Sequence, residues 1–357
     1  MAKFHSIKVS DIYKETKDCS VVSFDIPEDL KSEFHYNQGQ HLTLKAMIDG
    51  KEERRSYSLC SSPTENKWQV AVKKINGGLF SGYVNDKVKK GDTLEIMAPS
   101  GKFFRETNKE VAKNYIMFAA GSGITPILSI IKTHLALEPN STFQLFYLNR
   151  SVKSIIFKEE IELLKNKYFG RFEIFHFLTK EHRSIELFNG RFSKEKMEIL
   201  TEKIIDIPKV DECFICGPEE MIFLIRDELV AAGLSKDKIH FELFNTGGSE
   251  ADKQRVSKIL ESKVQGTDVT IIDGGKEFHF IMDDDYDNIL DGAIAAGADL
   301  PFACKGGVCS TCRCKVIEGS VAMKINYALD EDEVAKNLVL SCQAVPTSGK
   351  IVVEFGV

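Results

Sequence analysis

Cys304, Cys309 and Cys312 stand as C-x4-C-x2-C, with Cys342 30 residues further on. This is the spacing with which thiolates hold a plant-type [2Fe–2S] cluster. Each iron takes soft anionic ligands, and three within Cys304-Lys-Gly-Gly-Val-Cys309-Ser-Thr-Cys312 let one tight loop wrap the metal. Gly306 and Gly307 lack a Cβ, so backbone N–H groups can crowd the sulfurs and tune the potential. Zinc is the competing reading, but its sites usually pair short C-x2-C spacings.

A second group of residues suits a dinucleotide. Ala119-Ala-Gly121-Ser122-Gly123-Ile-Thr125-Pro126 follows an apolar strand pattern and opens a helical one, where a pyrophosphate can sit on free backbone N–H groups. Thr125 is placed to cap that helix and Pro126 to occupy its first position. Alone, a G-x-G-x-x-P is a weak signal and fits a plain tight turn equally well. A similar turn recurs at Cys213-Phe-Ile-Cys216-Gly217-Pro218-Glu-Glu-Met221. Its Cys-x-x-Cys invites a redox-dithiol reading, which a strand position argues against, because the two thiols then face opposite ways and lack a helix N-terminus. At the end of the next strand, Asn149-Arg150 stands where an acidic residue would bind the ribose of NAD. A base there favours the 2′-phosphate of NADPH, leaving NADH open.

A third group, Arg54-Arg55-Ser56-Tyr57-Ser58, places arginines, an aromatic and hydroxyls in one strand pattern, with a basic, Gly-containing stretch from Lys73 to Ser81 beyond it. A flavin diphosphate would use both, although a solvated edge strand explains the arginines alone.

Three kinds of element must position these residues. Residues 1–108 read as many short strands, hence an antiparallel β-barrel. Residues 109–245 alternate apolar strands (115–119, 143–148, 173–178, 213–216) with helices (126–135, 157–166, 218–232), hence an α/β doubly wound parallel sheet. Residues 246–266 have linker composition, and 267–357 hold a hairpin around Gly274-Gly275, a helix at 288–296 and the cysteine loop.

A chain of 357 residues with 43% hydrophobic and 28% charged residues is expected to be globular and multi-domain. Residues 267–357 carry 15 Asp and Glu against 7 Lys and Arg, so the acidic charge sits at that end of a chain whose net charge is −6. This suits a basic protein partner and disfavours nucleic acid. No apolar run reaches membrane-spanning length, and no signal sequence opens the chain, so a cytoplasmic protein without membrane insertion is expected.

Taken together, Arg55-Ser56-Tyr57-Ser58, the Gly121–Pro126 loop, Cys216-Gly217-Pro218 and the four cysteines resemble the ferredoxin–NADP reductase superfamily with a fused C-terminal ferredoxin. That resemblance implies FAD, a pyridine nucleotide and a [2Fe–2S] cluster, with an α+β (β-grasp) ferredoxin domain. It implies Tyr57 against the isoalloxazine, Ser58 near its N5, and Arg55 on the diphosphate. Lys73, Gly78, Leu79 and Ser81 would hold the rest of FAD. Gly121, Ser122, Gly123, Thr125, Asn149, Arg150, Gly217, Pro218 and Met221 would take the nucleotide. Cys216 and Glu242, with Ser58, would flank the reacting atoms, and Phe244 would guard the flavin face. Oxygenase reductase components share this domain order, and the loops are most similar to those serving phenylacetyl-CoA epoxidases. The acceptor stays open between such an oxygenase, another di-iron monooxygenase, a ring-hydroxylating dioxygenase and a hybrid-cluster protein. A redox sensor without turnover is the non-enzymatic alternative.

Overall fold

The computed structural model describes residues 3–244 and 250–356, in two compact units. The first, His5–Phe244, contains two sheets.

Six antiparallel strands come first: β1 (His5–Thr16), β2 (Cys19–Asp25), β3 (His41–Ile48), β4 (Lys51–Ser58), β5 (Trp68–Lys73) and, after helix α1 (Leu79–Asp86), β6 (Thr93–Ile96). Their order is β4-β3-β6-β1-β2-β5. A bridge between Leu59 and Val70, with the Cys60 N–H donating to the Gln69 carbonyl at 2.9 Å, joins the outermost strands. The sheet thereby closes into the expected barrel, which removes its free edges. Alternate strand residues such as Val22, Leu42, Leu44, Val70 and Val72 fill it, together with Phe80 and Val84 of α1.

The second sheet alternates β7 (Asn114–Ala120), α2 (Ile124–Leu137), β8 (Thr142–Asn149), α3 (Lys158–Lys167), β9 (Phe172–Leu178), α4 (Lys194–Lys203), β10 (Glu212–Gly217), α5 (Glu219–Ala231) and β11 (Ile239–Leu243). All its strands are parallel, in the order β11-β10-β7-β8-β9. The chain starts in the middle, winds outward through β9, and crosses back to β10, so the switch point lies between β7 and β10. That crevice is where doubly wound sheets bind ligands. Stacked rings run across three of these strands: Phe118 on Phe146 at 4.8 Å and Phe146 on Phe175 at 4.9 Å.

The expected division at residue 108 separates these two sheets, yet one buried cluster spans both. Cys19, Val21, Cys60, Ala71 and Phe103 pack with Ile127, Ile130 and Ile131 of α2 and with Phe214 and Cys216 of β10.

In the second unit, α6 (Glu250–Glu261) leads to β12 (Thr267–Asp273), β13 (Lys276–Met282), α7 (Ile289–Ala295), β14 (Arg313–Glu318), β15 (Val321–Met323), α8 (Glu331–Ala335), β16 (Leu338–Leu340), β17 (Ala344–Pro346) and β18 (Lys350–Phe355). The five-stranded sheet runs β13-β12-β18-β14-β16, with β12 and β18 parallel and every other pair antiparallel. Helix α7 packs closely on β13, since a Cβ on Gly292 would lie 2.2 Å from the Phe280 ring.

The 246–266 stretch departs from a plain linker. Part of it is helical, because Val256, Ile259 and Leu260 give α6 an apolar stripe at helical spacing. Its far end is fastened to the unit that follows: the Val264 N–H donates to the Pro346 carbonyl at 3.0 Å and the Gly266 N–H to Met282 at 2.9 Å. The Lys263 amine donates to the Asp283 carbonyl at 2.6 Å. Residues 246–249 of that stretch lie outside the described residues. Among the described residues no helix is long and apolar enough to cross a membrane.

Candidate functional site

Parallel register brings the switch-point residues together. Cys216 sits opposite Ala119 of β7 on one side and Glu242 of β11 on the other. The loop after β7 must approach it closely, since a Cβ on Gly123 would fall 2.2 Å from the Cys216 carbonyl oxygen. Gly217 is packed in the same way, its Cβ position lying 2.5 Å from the Met221 side chain. From the barrel, the Ser58 hydroxyl, at the end of β4, donates to Glu242 at 3.1 Å. Ser58, Cys216 and Glu242 therefore form one constellation, although Ser58 and Glu242 are 184 residues apart.

Burial controls the chemistry here. Desolvation pushes the Glu242 carboxyl up to about 8, against a smaller lowering by the Ser58 hydrogen bond. The Cys216 thiol is raised well above its ordinary value, first by burial and then by the nearby Glu242. Cys213 is likewise fully buried with a raised pKa, which bears against the redox-dithiol reading.

The nucleotide loop differs in detail from expectation. Gly121 takes a positive φ of 53°, which glycine adopts without strain. Helix α2 begins at Ile124, two residues earlier than expected, and its N-cap is Gly123. Thr125 is thus inside the first turn rather than capping it, and its hydroxyl donates to the Ser122 carbonyl at 3.0 Å. Pro126 is the third helical residue, and a 3-10 turn at Gly121–Gly123 runs into the helix, its Gly121 and Ser122 carbonyls accepting from the Ile124 N–H. At the end of β8, Asn149 is buried with its amide nitrogen unpaired, while Arg150 is exposed. An orphan amide beside an exposed guanidinium at the carboxyl edge fits an absent polar ligand.

On the barrel, Arg55 is 48% exposed and pairs with Glu53 at 2.9 Å. Ser56 lies 3.3 Å from the Thr43 hydroxyl, and the Tyr57 ring packs against Phe80 at 6.0 Å. Gly78 caps α1 without a side-chain acceptor, which leaves the first N–H groups of that helix open to an anion. The turn is tight: a Gly78 Cβ would lie 2.6 Å from the Ser81 hydroxyl, which accepts from the Ile75 N–H at 3.1 Å. Leu79 is exposed beside it. The Lys73 amine is 3.7 Å from the Cβ position of Gly121, between the two modules. An open helix N-terminus on the same barrel as the basic residues Lys73 and Arg55 fits a flavin diphosphate. Phe244 is 41% exposed where the first unit ends.

In the second unit the four cysteines fall into two pairs. The Cys309 thiol is 3.1 Å from the Cys304 sulfur, and Cys312 is hydrogen-bonded to Cys342. Among the described residues no three potential ligands converge on a single ion. The pairing itself, Cys304 with Cys309 and Cys312 with Cys342, fits a two-iron cluster with two thiolates on each iron. The Cys309 thiol, then N–H groups including those of Gly306 and Val308, hold the Cys304 thiol below its ordinary value. Gly307 supplies a positive φ of 75°, and a Cβ there would meet the Ile325 carbonyl at 2.7 Å. Sequence reasoning missed Gln343, whose amide donates to the Lys305 carbonyl at 2.9 Å and approaches the Cys342 sulfur at 3.7 Å. Its position directly after Cys342, one of the four candidate ligands, was the available signal. Cys314 is buried in the same core as Cys312 and Cys342, its thiol pushed up first by desolvation and then by Cys342.

Comparisons with known proteins agree with this reading. Residues 6–104 match an oxidoreductase FAD-binding domain, residues 117–227 an oxidoreductase NAD-binding domain, and residues 271–347 a 2Fe-2S iron-sulfur cluster binding domain. The chain is 42% identical to a subunit of the 1,2-phenylacetyl-CoA epoxidase of Escherichia coli (strain K12), over 99% of this chain and 98% of that protein. It is 32% identical to the 3-ketosteroid-9-alpha-monooxygenase ferredoxin reductase component of Rhodococcus rhodochrous, over 98% and 96%. The solved structure of phthalate dioxygenase reductase shares the fold, with a TM-score of 0.58 and 23% identity over 99% of this chain and 98% of that one. The chain therefore belongs to the ferredoxin–NADP reductase superfamily, among the NAD(P)H-dependent oxidoreductases in which FAD-binding, NAD-binding and plant-type [2Fe–2S] domains are fused in that order.

Proposed function

We propose that this chain is the reductase component of a cytoplasmic phenylacetyl-CoA epoxidase system, with NADPH as its electron donor. The observation that carries the reading is the 42% identity, from end to end, with a component of the Escherichia coli epoxidase. When bound, FAD supplies the exchange between a two-electron hydride and the single electrons that a [2Fe–2S] cluster accepts.

The chain's own residues have distinct tasks in this scheme. The N–H groups at Gly121 to Gly123 cradle the nucleotide pyrophosphate, with Asn149 and Arg150 beside its ribose phosphate. Arg55 and the open α1 N-terminus take the flavin diphosphate, and Tyr57 backs the ring system. Ser58 and Glu242 orient the reacting edge; with its pKa near 8, Glu242 keeps a proton on its carboxyl at neutral pH and brings no charge against the transferred hydride. Cys216 contributes a neutral thiol as packing at the same point. The acidic terminal module, which carries Asp283, Asp284 and Asp285 as exposed residues, docks a basic face of the oxygenase.

Reconstitution tests this directly. Mixed with the oxygenase subunits of a phenylacetyl-CoA epoxidase, the chain should couple NADPH oxidation to loss of phenylacetyl-CoA. If it reduces cytochrome c rapidly but leaves phenylacetyl-CoA untouched with those subunits, the pathway assignment fails. Arg150→Ala should raise the KM for NADPH about tenfold, equivalent to about 1.4 kcal/mol, and leave that for NADH unchanged.

A further inference from the structure

We propose that Lys132 is a positioning residue, holding the flavin barrel in register with the nucleotide loop. Helix α2 opens directly from Gly121–Gly123, and most of it is apolar core. Ser129, Lys132 and Thr133 break that pattern. They are buried and polar, and their spacing puts them on one stripe.

All three reach the same turn of the barrel, Ser61 to Glu65. The Ser129 hydroxyl donates to the Ser61 carbonyl at 2.6 Å. The Thr133 hydroxyl donates to the Ser129 carbonyl at 2.7 Å, so in its 2.8 Å contact with Ser62 the serine is the donor. The Lys132 amine lies 2.8 Å from Glu65 of this turn and 2.7 Å from Glu160 of α3. Glu65 is itself held, accepting from the Ser62 N–H at 2.8 Å.

The placement gives this contact its reach. Ser61 follows Ser58 by three residues, and Lys132 lies nine residues beyond Gly123 on a rigid helix. The turn that ends in Lys132's partner therefore fixes where Ser58 stands relative to the nucleotide loop and Glu242. A solvated lysine would hold little. This one is only 8% exposed, and without it two carboxylates would face each other with no cation between them. Hydride transfer depends on placement to within about 1 Å, where errors cost about 100-fold.

The inference rests on hydride passing from nucleotide to flavin and is independent of which oxygenase accepts the electrons. In the holoenzyme, Lys132→Met should keep its FAD and its calorimetric affinity for NADP+, while flavin reduction at saturating NADPH slows about 10- to 100-fold. Lys132→Arg should restore most of that rate. Amide exchange in Lys132→Met should rise together across 58–65 and 121–133, with or without flavin. Glu65→Gln leaves Glu160 to balance Lys132, so it tests the barrel half of the contact even if Lys132→Met fails to fold, and it should slow reduction at an unchanged Tm. An unaltered reduction rate in either folded variant, or a slowing fully matched by lost FAD or lowered Tm, overturns the proposal.

Discussion

The two sulfur environments of this chain are opposites. At the carboxyl edge of the parallel sheet, Cys216 is enclosed by strand neighbours, its thiol pushed up by burial and by Glu242, and it stays protonated. In the cluster loop, Cys304 accepts from the Cys309 thiol and from N–H groups that favour its anion, while Cys309, the donor of that pair, is raised. One site needs a neutral side chain of fixed shape; the other needs charge. The same residue type serves both because the backbone around it differs: a paired strand commits its N–H groups to the ladder, whereas a glycine-containing loop aims them at sulfur.

The largest test of that contrast compares serine at each site. Cys309→Ser should abolish electron delivery to cytochrome c and leave NADPH-to-ferricyanide activity intact, with the cluster's visible absorbance lost. Cys216→Ser should retain both cofactors and slow flavin reduction about tenfold, the scale of a lost positioning contact. A normal cytochrome c rate in Cys309→Ser would refute the serial path.

A smaller effect concerns Glu242. Its folded pKa, near 8, lies above the ordinary carboxyl value of 4.5. The folded state thus retains a proton that the unfolded chain releases, and stability contributed by this group is full below about 4.5 and lost as pH rises towards 8. Thermal unfolding should show a steeper decline between pH 5 and 8 for the parent than for Glu242→Gln. Parallel pH profiles would mean that Glu242 is solvated as an ordinary carboxylate.

The smallest effect is Gln343→Ala. Losing an N–H near the Cys342 sulfur should lower the cluster potential by about 20–40 mV, the equivalent of about 0.5–1 kcal/mol for one electron. A redox titration that finds no shift would confine Gln343 to its bond with Lys305.

The cluster loop was legible because its candidate ligands are concentrated: three of four cysteines fall within nine residues, a spacing that suits a [2Fe–2S] cluster better than zinc. Four strands and three helices of the parallel sheet were legible from apolar runs and periodicity, but not α4, whose Met197 and Leu200 make a thin stripe among charged residues, nor β11, a five-residue strand interrupted by His240 and Glu242. The Ser58–Glu242 contact could not be read from periodicity. It spans two sheets, and only likeness to a family pointed to its members. Lys132 was hidden for a related reason: a lysine in an apolar helix reads as a solvent-facing residue until the partner that buries it is seen. Thr125 was misplaced because hydroxyls are common at helix starts, while here the preceding Gly123 takes the cap position.

Gly123 has a consequence for which sequences this fold can accept. The loop after β7 and the end of β10 touch backbone to backbone there, with no room for a methyl group. A saturation library at position 123, selected for electron delivery, should return glycine alone, whereas Gly170 and Gly233, which meet nothing within 4 Å, are limited only by their positive φ and should also admit asparagine. A residue that carries no functional group at all would then be among the least replaceable in the fold.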